Sequence, residues 1–298
     1  MRVKGVYLRT ILGILLWVCV PSLGRPQPPD EVIQEFTHGG INWTRGKIYA
    51  TGQGSPADHQ FGKPVEPVQA EQNARSHLLE ITGAIRINAT TRLTNFSAQR
   101  SLIFKELQHM VDTAMVTRRE YLSDGSLTVA VEMDLWGGLA QLVLPEEIRQ
   151  VDVVRTVGQA RALGEATGVE KRLGGSDGAA ADSPNPIFTG LVLDARGVNL
   201  RPALVPVIRD ESGQEVYGPV YASREFVVQH GMCLYLRNIT GIRVHPRVRF
   251  NPLILPCVPA SDPNSTDLVI READAAQLRG ASEHLTFLRE GRVIIVVD

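Results

Sequence analysis

Three groups of residues have types and spacings that could do chemistry, and each demands a particular context. Gly174-Gly175-Ser176-Asp177-Gly178 matches G-x-S-x-G, the nucleophile elbow of α/β-hydrolases. That chemistry needs a strand before the serine and a helix after it, so that a strained turn exposes the hydroxyl. Ser176 instead lies within LGGSDGAAADSPNP, a stretch poor in bulky residues that reads as linker. Gly52-x-Gly54-x-x-Ala57 resembles a dinucleotide loop and follows a strand, but Pro56 and the run through Pro64 delay the next helix. No helix N-terminus then meets a phosphate. His230, Cys233, His245 and Cys257 make a zinc site only on paper, because their spacing fits no common ligand pattern. No catalytic, cofactor-binding or metal-binding residue is assigned from these groups.

Charged pairs are less specific. Asp194 and Arg196 sit in the turn Asp194-Ala195-Arg196-Gly197 at the end of an apolar run, where they could contact a ligand or partner. A structural ion pair or turn hydrogen bond explains the same two residues. Glu146-Glu147 and Glu132 with Asp134 offer paired acids of the kind a glycosidase uses, but the first pair falls in an exposed segment and the second on the solvent face of a strand. The five N-x-S/T sequons, at Asn42, Asn88, Asn95, Asn238 and Asn264, read as chance.

The chain has 298 residues, 43% of them hydrophobic, which is enough for two ordinary domains with a core each. Its first 24 residues carry Arg2, Lys4 and Arg9 and no acid, then the apolar run Ile11–Val20 and the small-residue end Pro21-Ser22-Leu23-Gly24. This is the pattern of an export signal cut after Gly24. Ten apolar residues rise only about 15 Å as a helix, half of a roughly 30 Å hydrocarbon core, so export is favoured over spanning. Lipidation at Cys19 is disfavoured because Val18 is bulky where the lipoprotein signal peptidase takes a small residue. The formal charge of −1 becomes −4 without those three basic residues, which argues against a general nucleic-acid surface. If Cys19 leaves with the signal, Cys233 and Cys257 remain, and in an oxidising compartment either a disulfide or two buried free thiols fits.

The elements that must position these residues follow from periodicity. Residues 25–45 read as a leader with a proline-rich start, and the first strand is Gly46–Gly52. Ala70, Ala74, Leu78 and Ile81 form one stripe of a helix. A strand is expected over Ala84–Leu93, then a helix over Ser97–Val111 with Ser97 as its N-cap. Leu127, Val129, Val131, Met133 and Leu135 alternate with Thr128, Ala130, Glu132 and Asp134, and pair with Ala114–Leu122 through the turn Ser123–Ser126. The predicted order is β-α-β-α-β-β for an α+β layer domain over residues 46–154. A linker over 155–186 follows, and then a β-rich module with a short helix over 187–298. Strands are expected there near Ile187–Leu193, Ala203–Ile208, Phe226–Val228, Cys233–Leu236 and Leu268–Ile270. A helix near Ala273–Arg279 and a buried terminal strand Arg292–Val297 complete it.

The pieces GKIYATGQG, AEQNARSHLLEITGAIRIN and DGSLTVAVEMDLWGGL resemble the small bacterial envelope domain shared by the LPP-twenty lipoproteins and the N-terminal part of flagellar assembly protein T. FTGLVLDARGVNLRPALVPVIRDESGQEVYGP and DLVIREADAAQLRGASEHLTFLREGRVIIVVD look like the longer exported members of that group. The resemblance implies a periplasmic or outer-membrane-associated protein that assembles with envelope proteins, flagellar basal-body components among them, or with copies of itself. It carries over no functional residue. The expectation is therefore a non-enzymatic, exported envelope protein without cofactor, nucleic-acid partner or transmembrane span in the mature chain. An exported hydrolase or a peptidoglycan- or glycan-binding module is the alternative.

Overall fold

A computed structural model describes residues 30–55, 67–98, 100–144, 187–258, 265–280 and 282–298. The export signal, the 155–186 linker, Ser176 and Glu146-Glu147 lie outside them. The fold is α+β, an N-terminal layer domain followed by a β-rich module.

The N-terminal module runs β1 (Ile33–Phe36), β2 (Gly39–Asn42), β3 (Lys47–Gly54), α1 (Pro67–Gly83), α2 (Leu93–Ala98), α3 (Ser101–Asp112), β4 (Met115–Tyr121), β5 (Leu127–Asp134) and α4 (Gly138–Val143). The strands form one antiparallel sheet in the order β1-β2-β3-β5-β4. Alternation in β5 buries Leu127, Val129 and Val131 and leaves Thr128, Ala130 and Glu132 toward the open face. The helix α1 covers the buried face with the expected stripe of Ala70, Ala74, Leu78 and Ile81. Small residues set its height: a Cβ on Gly52 would stand 2.5 Å from the Ala70 carbonyl oxygen and 2.7 Å from the Ala74 Cα. The helix therefore rests almost on the backbone of β3.

Three expectations are corrected here. Two strands, β1 and β2, occupy the stretch read as leader, and their edge pairing carries the backbone hydrogen bonds that a short polar segment shows no pattern for. Ala84–Leu93 is not a strand but a tight loop, in which Arg86 alone bridges Arg92 and the Asn88 side chain accepts from the N–H groups of Thr90 and Thr91 at 3.0 and 2.9 Å. Ser97 is not an N-cap; it lies inside α2 and its hydroxyl donates back to the Thr94 carbonyl at 3.2 Å, while α3 starts after the extended Arg100.

The second module runs β6 (Gly190–Asp194), β7 (Ile208–Asp210), β8 (Glu215–Tyr217), α5 (Arg224–His230), β9 (Leu234–Leu236), β10 (Pro252–Pro256), β11 (Leu268–Ile270), α6 (Glu272–Arg279), α7 (Ser282–Arg289) and β12 (Val293–Val296). Its main sheet, β10-β6-β12-β9, is wholly parallel, and β7 carries β11 and β8 in a smaller mixed sheet. All four residues of β12 are buried, because packing covers both faces of the parallel sheet. Leu191, Leu193, Val293 and Ile295 join a core continuous with the first module, while Val192, Ile294, Val296 and Val248 form a smaller one behind. Of Ala203–Ile208 only the last residue enters a strand, since Pro206 has no N–H for a ladder. Phe226–Val228 is helical: Gly231 at φ 75° ends α5, and Arg247 donates to the carbonyls of His230 and Gly231 at 2.6 and 2.7 Å. The strands β8 and β10 and the helix α7 are additions to the expected set. No described helix is long and apolar enough to cross a membrane.

Candidate functional site

The turn singled out in the sequence closes on itself. Arg196 donates to both carboxylate oxygens of Asp194, at 2.8 and 2.6 Å, and this guanidinium holds the Asp194 carboxyl below its ordinary range. The Gly197 N–H donates to the Asp298 carboxylate at 2.7 Å, which ties the turn to the end of β12. Glu132 and Asp134 meet on the open sheet face, where Lys47 Nζ lies 3.3 and 2.6 Å from them.

Cys233 and Cys257 are free thiols. Cys233 precedes β9 and Cys257 follows β10, strands at opposite edges of the parallel sheet. Three strand spacings separate those edges, about 14 Å, twice the Cα reach of a disulfide. Burial pushes both thiols up to about 12. Among the described residues no three His, Cys, Asp or Glu side chains gather at metal distance, so His230, Cys233, His245 and Cys257 do not form a ligand set. His284 is a satisfied core residue, its Nε2 accepting from the Phe188 N–H at 3.2 Å and its Nδ1 3.1 Å from the Leu278 carbonyl. Gly52 and Gly54 are strand residues of β3 in register with Val129 and Leu127, so the dinucleotide-like spacing does not make a loop.

The modules meet through aromatic side chains. Trp43 and Tyr235 pack edge to face, 5.8 Å apart, and the Thr44 hydroxyl donates to the Tyr235 carbonyl at 2.7 Å. Trp136 fits between Gly46 and Gly231; a Cβ on either would come within about 2.6 Å of the indole. Beside this junction lies a cleft of about 480 Å³. Arg86, Arg92, Arg201 and Arg237 line it, together with Asn199 and Asp298. Trp43 and Leu200 supply apolar wall.

Each arginine is placed by backbone bonds. The Arg86–Arg92 bridge sets the first two, and the N–H groups of Leu204 and Val205 donate to the carbonyls of Arg86 and Ile87 at 3.0 and 2.8 Å, which docks the second module against this loop. Asn199 turns the chain at φ 52°, a conformation asparagine tolerates, ahead of Arg201, whose N–H donates to Ser265. Arg237 follows β9; its N–H donates to the Asp30 carbonyl and its Nε to the Glu31 carbonyl, at 3.2 and 3.1 Å. None of the four was singled out in the sequence. They come from three separate segments, and only short apolar–arginine alternations such as Ile85-Arg86-Ile87 and Leu236-Arg237 hint at guanidinium groups held at strand ends.

Residues 190–298 match the family model described as the second domain of Treponema pallidum Tp0624. No curated protein matches the chain significantly. The matched segment contains β6 to β12 and provides one wall of the cleft, with Asn199, Arg201, Arg237 and Asp298. Arg86 and Arg92, on the other wall, precede it.

Proposed function

We propose that the protein is an exported, non-enzymatic component of the cell envelope that assembles with or stabilises an envelope structure, and that it takes hold of its ligand or partner in the cleft between its modules. The observation that carries this reading is the cleft wall itself. Arginine and amide residues line it beside the single acid Asp298, and guanidinium and amide groups bind through charge and hydrogen bonds and exchange no proton near neutral pH. The export pattern of residues 1–24 and the resemblance of Gly46–Leu144 to envelope domains supply the location; basal-body proteins are the partner class which that resemblance suggests. A hydrolase reading needs Asp194, Arg196 and a histidine around one pocket, whereas Asp194 is engaged by Arg196 and no histidine lines the cleft.

Cell fractionation with a photo-crosslinking residue at position 201 tests the proposal. The expected result is protein in the periplasmic or outer-membrane fraction, crosslinked to an envelope component. Recovery from the cytoplasm, or a soluble monomer that crosslinks to nothing, would sink it.

A further inference from the structure

We infer that the cleft is a clamp for a small ligand bearing at least two oxyanionic groups, carboxylate or phosphate. This rests on reading the cleft as the binding site. Arg86, Arg92, Arg201 and Arg237 line it with Asp298 as its one acidic residue, in a chain whose formal charge is −1, so basic residues are concentrated at this place rather than general. Arg86 and Arg92 are directly opposed, and the bonds Ile87 N–H to Thr91 and Leu93 N–H to Ile85 make theirs the non-hydrogen-bonded kind of pair, in which side chains stand closest. Among the described residues no carboxylate lies within salt-bridge distance of Arg92, Arg201 or Arg237. Arg237 spends its Nε–H on the Glu31 carbonyl, which fixes the side chain. The one acid, Asp298, already accepts from Gly197.

Position and size agree with the charge. Arg237 and Asp298 stand just beyond the carboxyl ends of β9 and β12, and ligands of parallel sheets sit outside those ends. A volume of about 480 Å³ suits a small molecule or a headgroup and is too little for a nucleic-acid duplex. Because Arg92 belongs to one module and Arg201 and Arg237 to the other, one anionic group on each wall satisfies the geometry. Planar guanidinium forks match carboxylate and phosphate oxygens alike.

Calorimetric titration of the full chain with citrate and with pyrophosphate, at about 0.15 M salt, decides between the outcomes. At least one probe should saturate with Kd below about 1 mM, and Arg92→Gln and Arg201→Gln should each weaken it about tenfold. Arg118→Gln, an exposed arginine on β4 away from the cleft, should leave it unchanged. Preference for citrate marks a carboxylate ligand, preference for pyrophosphate a phosphate one, and equal binding a general oxyanion clamp; all three support the inference. It is overturned if neither probe saturates with Kd below about 1 mM, or if Arg118→Gln weakens binding as much as the cleft variants. Circular dichroism of each variant shows that the fold is kept. Envelope crosslinks retained without anion binding leave the proposed function standing and remove the clamp; anion binding by a cytoplasmic protein does the reverse.

Discussion

The two main sheets use apolar residues in opposite ways. In the antiparallel sheet β5 buries every second residue under α1 and turns the rest outward, where Lys47 bridges Glu132 and Asp134 and the Tyr49 hydroxyl donates to Glu35. In the parallel sheet β6 and β12 have no outward face; Leu193 and Ile295 pack toward the shared core while Val192 and Ile294 pack behind. One sheet can therefore absorb change on half of its side chains, and the other on almost none. The cleft forms where the two kinds of construction meet, and its charge is drawn from loops of both.

Substitutions that treat the two sheets alike test that contrast. Ile294→Asp places an unpaired charge between packed layers and should cost more than about 4 kcal/mol, leaving no cooperative urea transition for the second module. Its counterpart Ala130→Asp, on the open face opposite Arg118, should cost less than about 0.5 kcal/mol. A large loss there would mean that the polar face is covered in the working protein. Next in size, Gly52→Ala forces α1 off β3 and should cost about 3 kcal/mol, read as a shifted denaturation midpoint. Trp136→Ala empties the slot between Gly46 and Gly231 and should cost about as much, roughly 3 kcal/mol. Unlike Gly52→Ala, it should also separate the unfolding of the two modules when followed by far-ultraviolet circular dichroism and tryptophan fluorescence.

The last predicted effect is confined to acid. Asp210, buried at the end of β7, accepts from the Ser212 hydroxyl at 2.5 Å, from Arg279 at 2.8 Å and from the Gln214 N–H at 2.9 Å. These partners hold its carboxyl at about 2, against an ordinary value of 3.8. A lowered pKa means that the charged form is the one the fold favours, so its contribution is complete above about 3.8 and disappears as pH falls toward 2. Melting temperatures of the wild type should drop across that interval, and Asp210→Asn, already lower, should show less of the drop. An unchanged acid profile in the variant would place the acid-sensitive group elsewhere.

How far the sequence could be read depended on how local the cause was. The stripe of α1 and the β4–β5 hairpin were legible because a 3.6-residue period and a four-residue turn are properties of neighbouring residues. Phe226–Val228 misled because β-branched and aromatic content suggests a strand, while the stop at Gly231 and the Arg247 fork on its carbonyls decide for a helix. The short strands β1 and β2, with Gly39 and Gly40 among their residues, show no alternation to recognise. At the candidate site, Asp194 and Arg196 were visible as a pair because they are two residues apart. Their closeness is also why they satisfy each other and offer little to a ligand.

By itself the sequence determined the α+β class, the buried faces of α1 and β5 in the first module, and the burial of the terminal run Val293–Val296, since each depends on periodicity and hydrophobicity over a few residues. Only the tertiary structure decided that β10, β6, β12 and β9 lie side by side and parallel, that Cys233 and Cys257 stand at opposite edges, and that Arg86, Arg92, Arg201 and Arg237 share one cleft. Parallel neighbours are joined by long crossovers, so their order is set by which faces pack together after the chain has left and returned. Nothing in the local pattern of a strand records that choice.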